Sequence, residues 1–97
     1  MKKLSFNRLA EHELAEAAEH YDKEALGLGE RFLEEVRYSA SMLQRFPYAG
    51  PRVSGTTRRL IFPRFPYSLI YKVYDDRIRI LAVAHQSRHP RYWIGRT

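Results

Sequence analysis

The chain is 97 residues long, with 44% hydrophobic and 29% charged residues, the composition of a single folded domain spanning residues 1–97 and not of a disordered segment. It has no cysteine, which excludes a disulfide framework and thiolate metal sites, and it has no apolar run of the ~18 residues that a membrane helix needs. Its net charge of +6 is unevenly spread: residues 1–50 carry seven Lys or Arg against nine Asp or Glu, residues 51–97 carry ten against two, and the second half is therefore the one suited to an anionic partner.

Residues 2–6 alternate apolar Leu4 and Phe6 with polar Lys3 and Ser5, the period of a short strand. This basic start lacks the long apolar region of a signal peptide, and a cytoplasmic location is expected. Asn7 is placed to cap a helix from about Arg8 to Lys23, with a buried stripe of Leu14, Ala18, Tyr21 and Ala25 and with Glu11 and Glu13 near the positive end of its dipole. Gly27 and Gly29 punctuate the chain before a second helix. There Leu28, Phe32, Val36, Ala40 and Leu43 recur at helical spacing, while Glu30, Glu34, Glu35 and Arg37 take the remaining positions. Phe46-Pro47 ends that helix, because the residue before proline is pushed out of the helical region, and a loop continues to about Gly55. Two helices so closely linked form an antiparallel hairpin. Three strands follow, at about Thr57–Phe62, Ser68–Tyr74 and Arg77–His85, the last two joined by a two-residue Asp75-Asp76 turn. Arg77 to Ile80 alternates, whereas Leu81 to Ala84 is apolar throughout, as in a strand covered on both faces. The order is β-α-α-β-β-β: an α+β domain with a helical hairpin packed on a small, mostly antiparallel sheet.

The chemistry-bearing residues gather in the strand half. Arg58, Arg59 and Arg64 flank its first strand, where guanidinium forks either bind phosphate or carboxylate or stand as solvated charge along an edge. Phe62, Phe65, Tyr67, Tyr71 and Tyr74 interleave with them. Rings beside arginine can stack on bases, but packing alone accounts for aromatics in strands, and most of these are read as core. His85, Arg88, His89 and Arg91 are the densest polar cluster. A histidine there can move protons near neutral pH and an arginine can stabilise phosphoryl charge; alternatively, His85 is simply hydrogen-bonded into a strand end. His85 and His89 have ligand spacing without a supporting Cys or carboxylate, so no metal and no other cofactor are expected. Tyr92-Trp93-Ile94 is an apolar cluster that either folds back onto the domain, the favoured reading, or docks on a partner.

Taken together, Arg59-Leu60, the run Phe65 to Val73, an acidic turn, Ile78 to Val83, and His85 with Arg88-His89-Pro90 resemble the RelE/ParE superfamily. These are the toxins of bacterial type II toxin–antitoxin modules, also described as plasmid-stabilisation proteins. The resemblance covers nearly the whole chain. It implies a toxin that arrests growth when free, a cognate antitoxin that wraps it into a hetero-oligomer, and contact with operator DNA only through that antitoxin. RNA-cleaving members carry an arginine just before the Leu-Ile-Tyr of the middle strand, where this chain has Ser68. The segment from Arg88 to Trp93 is more similar to the ParE branch, whose members poison DNA gyrase without a catalytic constellation. The residues expected to meet the target, the antitoxin or nucleic acid are Arg58, Arg59, Arg64, Lys72, His89, Arg91, Tyr92 and Trp93. The alternative is a ribosome-dependent mRNA interferase, an endoribonuclease acting on ribosome-bound mRNA, with His85 as its acid–base group and Arg88 on the phosphate. An enzyme is the less expected of the two outcomes.

Overall fold

A computed structural model describes residues 1–97. Strand β1 (Lys3–Phe6) leads into helices α1 (Arg8–Glu24) and α2 (Leu28–Arg45). Four strands follow: β2 (Arg52–Ser54), β3 (Thr57–Ile61), β4 (Tyr67–Val73) and β5 (Arg77–His85). They form one sheet in the order β1-β5-β4-β3-β2, antiparallel except for the parallel β1–β5 pair. Strand β2 lies within the stretch read from sequence as loop. It is three residues long, set between Pro51 and a turn at Gly55 (φ +55°), and so short a strand shows no period.

The Asn7 side chain accepts the Leu9 N–H at 2.7 Å and caps α1 as expected. The packed stripe of α1 is Ala10, Leu14, Ala17, Ala18 and Tyr21. It does not run on to Ala25, which is exposed and extended at the helix end. In α2, Phe32, Val36 and Leu43 are buried as the spacing predicts, but so are Ser39 and Glu35, the latter contrary to its assignment to the outer positions. Gly29 is not part of the link. It sits in the first turn of α2, its N–H donates to Asp22 Oδ1 at 2.8 Å, and a Cβ there would land on the Ala18 carbonyl oxygen. The two helices approach closely at this point.

Both helices cover one face of the sheet, where Phe32, Val36 and Leu43 meet Leu69, Tyr71 and Ile80. Phe32 is fully buried, with the rings of Tyr21, Phe62, Phe65 and Tyr67 centred 5.0–6.0 Å away, mostly edge to face. The strand aromatics are thus largely packing residues. The opposite face carries a smaller apolar cluster of Ile70, Leu81, Ala82, Ala84 and Trp93, so β5 is covered on both sides.

Strand β5 also contains a bulge. The ladder pairs Ile70 with Ala82 and Tyr71 with Ile80, which leaves Leu81 as the extra residue. Ile78 and Ile80 face the helices, Leu81 and Ala82 face away, and Val83 faces the helices again. This change of phase erases the alternation from Leu81 onward and turns His85 to the helix side, opposite Tyr67. At the other end of the strand, Tyr74 N–H donates to Arg77 O at 2.8 Å across the Asp75-Asp76 turn. No non-glycine residue has a positive φ, so that turn forms without the left-handed residues of the primed types.

Candidate functional site

On the sheet face away from the helices, a groove of about 610 Å³ runs between β3 and the segment that follows β5. Ser68 and Ile70 of β4 and Ala84 of β5 form its floor, and Arg59 and Ile61 of β3 form one wall. The other wall is Arg88, His89, Tyr92 and Trp93. Three arginines and two histidines line the groove and no carboxylate does, so its potential draws anions.

Strand geometry sorts the predicted residues. Arg58 and Arg59 are neighbours and therefore point to opposite faces. Arg59 is exposed on the groove wall, in register with Ile70. Arg58, in register with Tyr71, is on the helix side. It donates to the Gly50 carbonyl at 2.8 Å and stacks 4.9 Å from the Tyr48 ring, so it serves the turn after α2 and not the groove. Lys72 borders a separate, smaller cleft beside the β2–β3 turn, and Arg91 is exposed outside the groove lining. Arg64 lines the groove, but Glu35 holds it: the carboxylate accepts the Arg64 backbone N–H at 2.9 Å and its Nη1 at 3.1 Å. The Glu35 side chain is 3% exposed while that of Arg64 is 78% exposed, so the buried acid organises the loop and leaves the cation near water.

His85 lines both the groove and a cleft on the helix side. Its Nδ1 accepts the Ser87 N–H at 3.0 Å and lies 2.8 Å from Ser87 Oγ, which leaves the ring proton of the neutral form on Nε2. The ring stands edge-on to Tyr67 at 4.9 Å. In this arrangement the imidazole offers a donor and no free lone pair. His89 Nδ1 accepts the Arg91 N–H at 3.3 Å.

Tyr92 and Trp93 fold back onto the domain, while Ile94 stays half exposed. Trp93 is only 5% exposed, so it builds the wall from within and does not present its ring to a partner. The Tyr92 ring lies 3.9 Å from the Arg88 guanidinium and 5.0 Å from that of Arg96. Its hydroxyl is buried without a partner in hydrogen-bonding geometry. Burial pushes its pKa up, and the nearby Glu13 carboxylate adds to the rise. Arg96 donates to both Glu13 oxygens, at 2.9 and 3.2 Å. In the sequence Glu13 reads only as a charge near the helix dipole and Arg96 does not stand out, and 83 positions separate them. Of the floor residues, Ser68 is singled out through the resemblance alone, and Ile70 and Ala84 are silent, because their face is decided by pairing register.

The family model that matches the chain is described as the ParE toxin of the type II toxin–antitoxin system parDE, and it covers residues 4–90. Among solved structures, one described as the chromosomal ParDE TA system from P. aeruginosa aligns with a TM-score of 0.66 at 22% identity, over 88% of this chain and 96% of that one. At that identity the likeness is one of fold. A search of curated protein sequences gives no match.

Proposed function

Because the chain belongs to the ParE toxin family of type II toxin–antitoxin systems, we propose that it arrests growth when free by poisoning DNA gyrase, and that a cognate antitoxin neutralises it by laying an acidic segment in the cationic groove. The observation that carries this reading is the groove itself: Arg59 and Arg88 on facing walls, His89 beside them, and no acid in the lining. A disordered acidic tail that folds on binding suits such a channel, since charge complementarity speeds encounter and excludes wrong partners. The toxin and antitoxin would form a hetero-oligomer in the cytoplasm, contacting operator DNA through the antitoxin.

Two features favour a binding mechanism over RNA cleavage. Ser68, 7% exposed on the groove floor, occupies the position where the RNA-cleaving relatives carry arginine. His85 has its Nδ1 engaged by Ser87 and so lacks the free lone pair of a general base. The competing reading, a ribosome-dependent mRNA interferase, draws on His85 and Arg88 lining the same groove.

Pulse-labelling of cells after induction of this protein alone separates the two. Early loss of DNA synthesis with SOS induction is the expected result. Early loss of translation with cleaved mRNA would overturn it in favour of the interferase.

A further inference from the structure

We propose that Glu13 and Arg96 form a latch that holds the segment after β5 as one wall of the groove, acting as positioning residues for the contacts of Arg88, His89 and Tyr92 with a partner. The partner contacts rest on the reading of the groove given above; the latch itself rests on the backbone of β5.

Strand β1 ends at Phe6, opposite Ile80, and the Asn7 N–H donates to Ile80 O at 2.8 Å. Past that point β5 runs on to His85 with no strand on that side. An unpaired buried backbone group is costly, so something must satisfy Leu81 and Val83. Arg96 donates to the Leu81 carbonyl at 3.1 Å, and Glu13 accepts the Val83 N–H at 3.1 Å. The two side chains are bound to each other and are only 14% and 13% exposed. So dry an ion pair is tolerated where its remaining donors and acceptors are also used, as they are here. Side chains from α1 and from the end of the chain thus supply what a longer β1 would have supplied.

The tail has little else of this kind. At its root the Gln86 N–H donates to Pro66 O at 2.8 Å; beyond that, as far as Arg96, its backbone bonds are local turns: Arg88 to His85, Tyr92 to His89, Ile94 to Arg91 and Arg96 to Trp93. Gly95, at φ +93°, lets the chain reverse so that Arg96 reaches the edge of β5, and Asn7 Nδ2 donates to Thr97 O at 2.8 Å just beyond. Beyond Gln86, the attachment of this wall to the domain runs through these side chains and the packing of Tyr92 and Trp93.

Trp93 is the sole tryptophan and reports on the wall directly. The variants are Glu13→Gln, which keeps an acceptor for Val83 and removes the ion pair, and Arg96→Met. In both we expect a red-shifted Trp93 emission, readier acrylamide quenching and amide exchange over residues 88–97 faster by about tenfold or more, with far-UV circular dichroism unchanged. Growth arrest should be lost in parallel. The exchanged pair Glu13→Arg with Arg96→Glu should not rescue, because arginine then faces the Val83 N–H and glutamate faces the Leu81 carbonyl. If Arg96→Met fails to fold, Glu13→Gln carries the same test. Trp93 remaining shielded in the folded variants overturns the latch, and rescue by the exchanged pair overturns its edge-capping role. Trp93 released with growth arrest undiminished overturns the positioning role. A wild-type chain that does not arrest growth defeats the proposed function instead, and Trp93 quenching still decides the latch.

Discussion

His85 is engaged on both sides of its ring, by Ser87 at Nδ1 and by Tyr67 edge-on, and this bears on what its removal does. A histidine serving as general acid or base contributes about 10²- to 10⁴-fold, so an interferase centred on it would be silenced by His85→Ala. We expect the substituted protein still to arrest growth, at the same inducer level as the wild type. Abolished toxicity in a folded His85→Ala protein would restore the acid–base assignment. The tyrosines give a second test at this scale. Tyr21, Tyr67, Tyr71 and Tyr92 all have pKa values raised from 10.0, with burial the largest cause in each case. At Tyr71 the N–H of Gly50 and the Arg58 charge work against the rise. A raised phenol keeps its proton in the folded state after the unfolded chain has begun to lose it, so its contribution to stability is whole below pH 10 and declines as the pH climbs toward the folded value. The urea midpoint should therefore be lower at about pH 11 than at about pH 9. Tyr92→Phe should lessen the difference, and an unchanged midpoint would contradict the burial of these rings.

The hairpin of α1 and α2 sets two opposed effects against each other at Gly29. Alanine gains about 1 kcal/mol in helix propensity, but its Cβ would collide with the Ala18 carbonyl of the facing helix, and backbone cannot swing aside as a side chain can. Overpacking of this kind costs about 1–3 kcal/mol or more, so we expect Gly29→Ala to be net destabilising, read as a lower urea midpoint at constant m-value. A stabilised variant would mean that the helices sit farther apart. In the sequence, Gly29 looks like punctuation; its role exists only once two helices are brought together. The same division runs through the other elements. The α2 stripe, the Asn7 cap and three of the four C-terminal region strands are legible because each rests on local spacing. Strand β2, the Leu81 bulge and the burial of Glu35 are not, since each is settled by what the segment pairs with or packs on and not by its own spacing: β3, β4 and the Arg64 loop respectively. For the candidate site, arginine and histidine enrichment pointed to the segments that line the groove, but the separation of Arg58 from Arg59 required knowing which face of β3 the helices cover.

Across the molecule, charge follows the layers. Residues 8–45, which make up the two helices and their link, hold five Lys or Arg against nine Asp or Glu, and the rest of the chain holds twelve against two. The uneven spread was visible in sequence, but folding could have interleaved the two signs. It does not, because both helices lie on one face of the sheet and the carboxylate-free groove lies on the other. The separation matters only within the reach of the field, about 10 Å at 0.1 M salt and about 30 Å at 0.01 M. An acidic antitoxin segment approaching the groove should therefore associate faster as salt is lowered, with most of the change in the association rate and little in the dissociation rate. Arg59→Ala combined with Arg88→Ala should slow association by about tenfold at low salt and flatten the salt dependence. Arg31→Ala, on the exposed side of α2, should change neither, although it removes a positive charge too. If all three proteins showed the same salt slope, net charge would be steering the encounter. If the wild type were insensitive to salt, the partner would be held by the apolar floor of Ile70 and Ala84, and the arginines would be incidental to its capture.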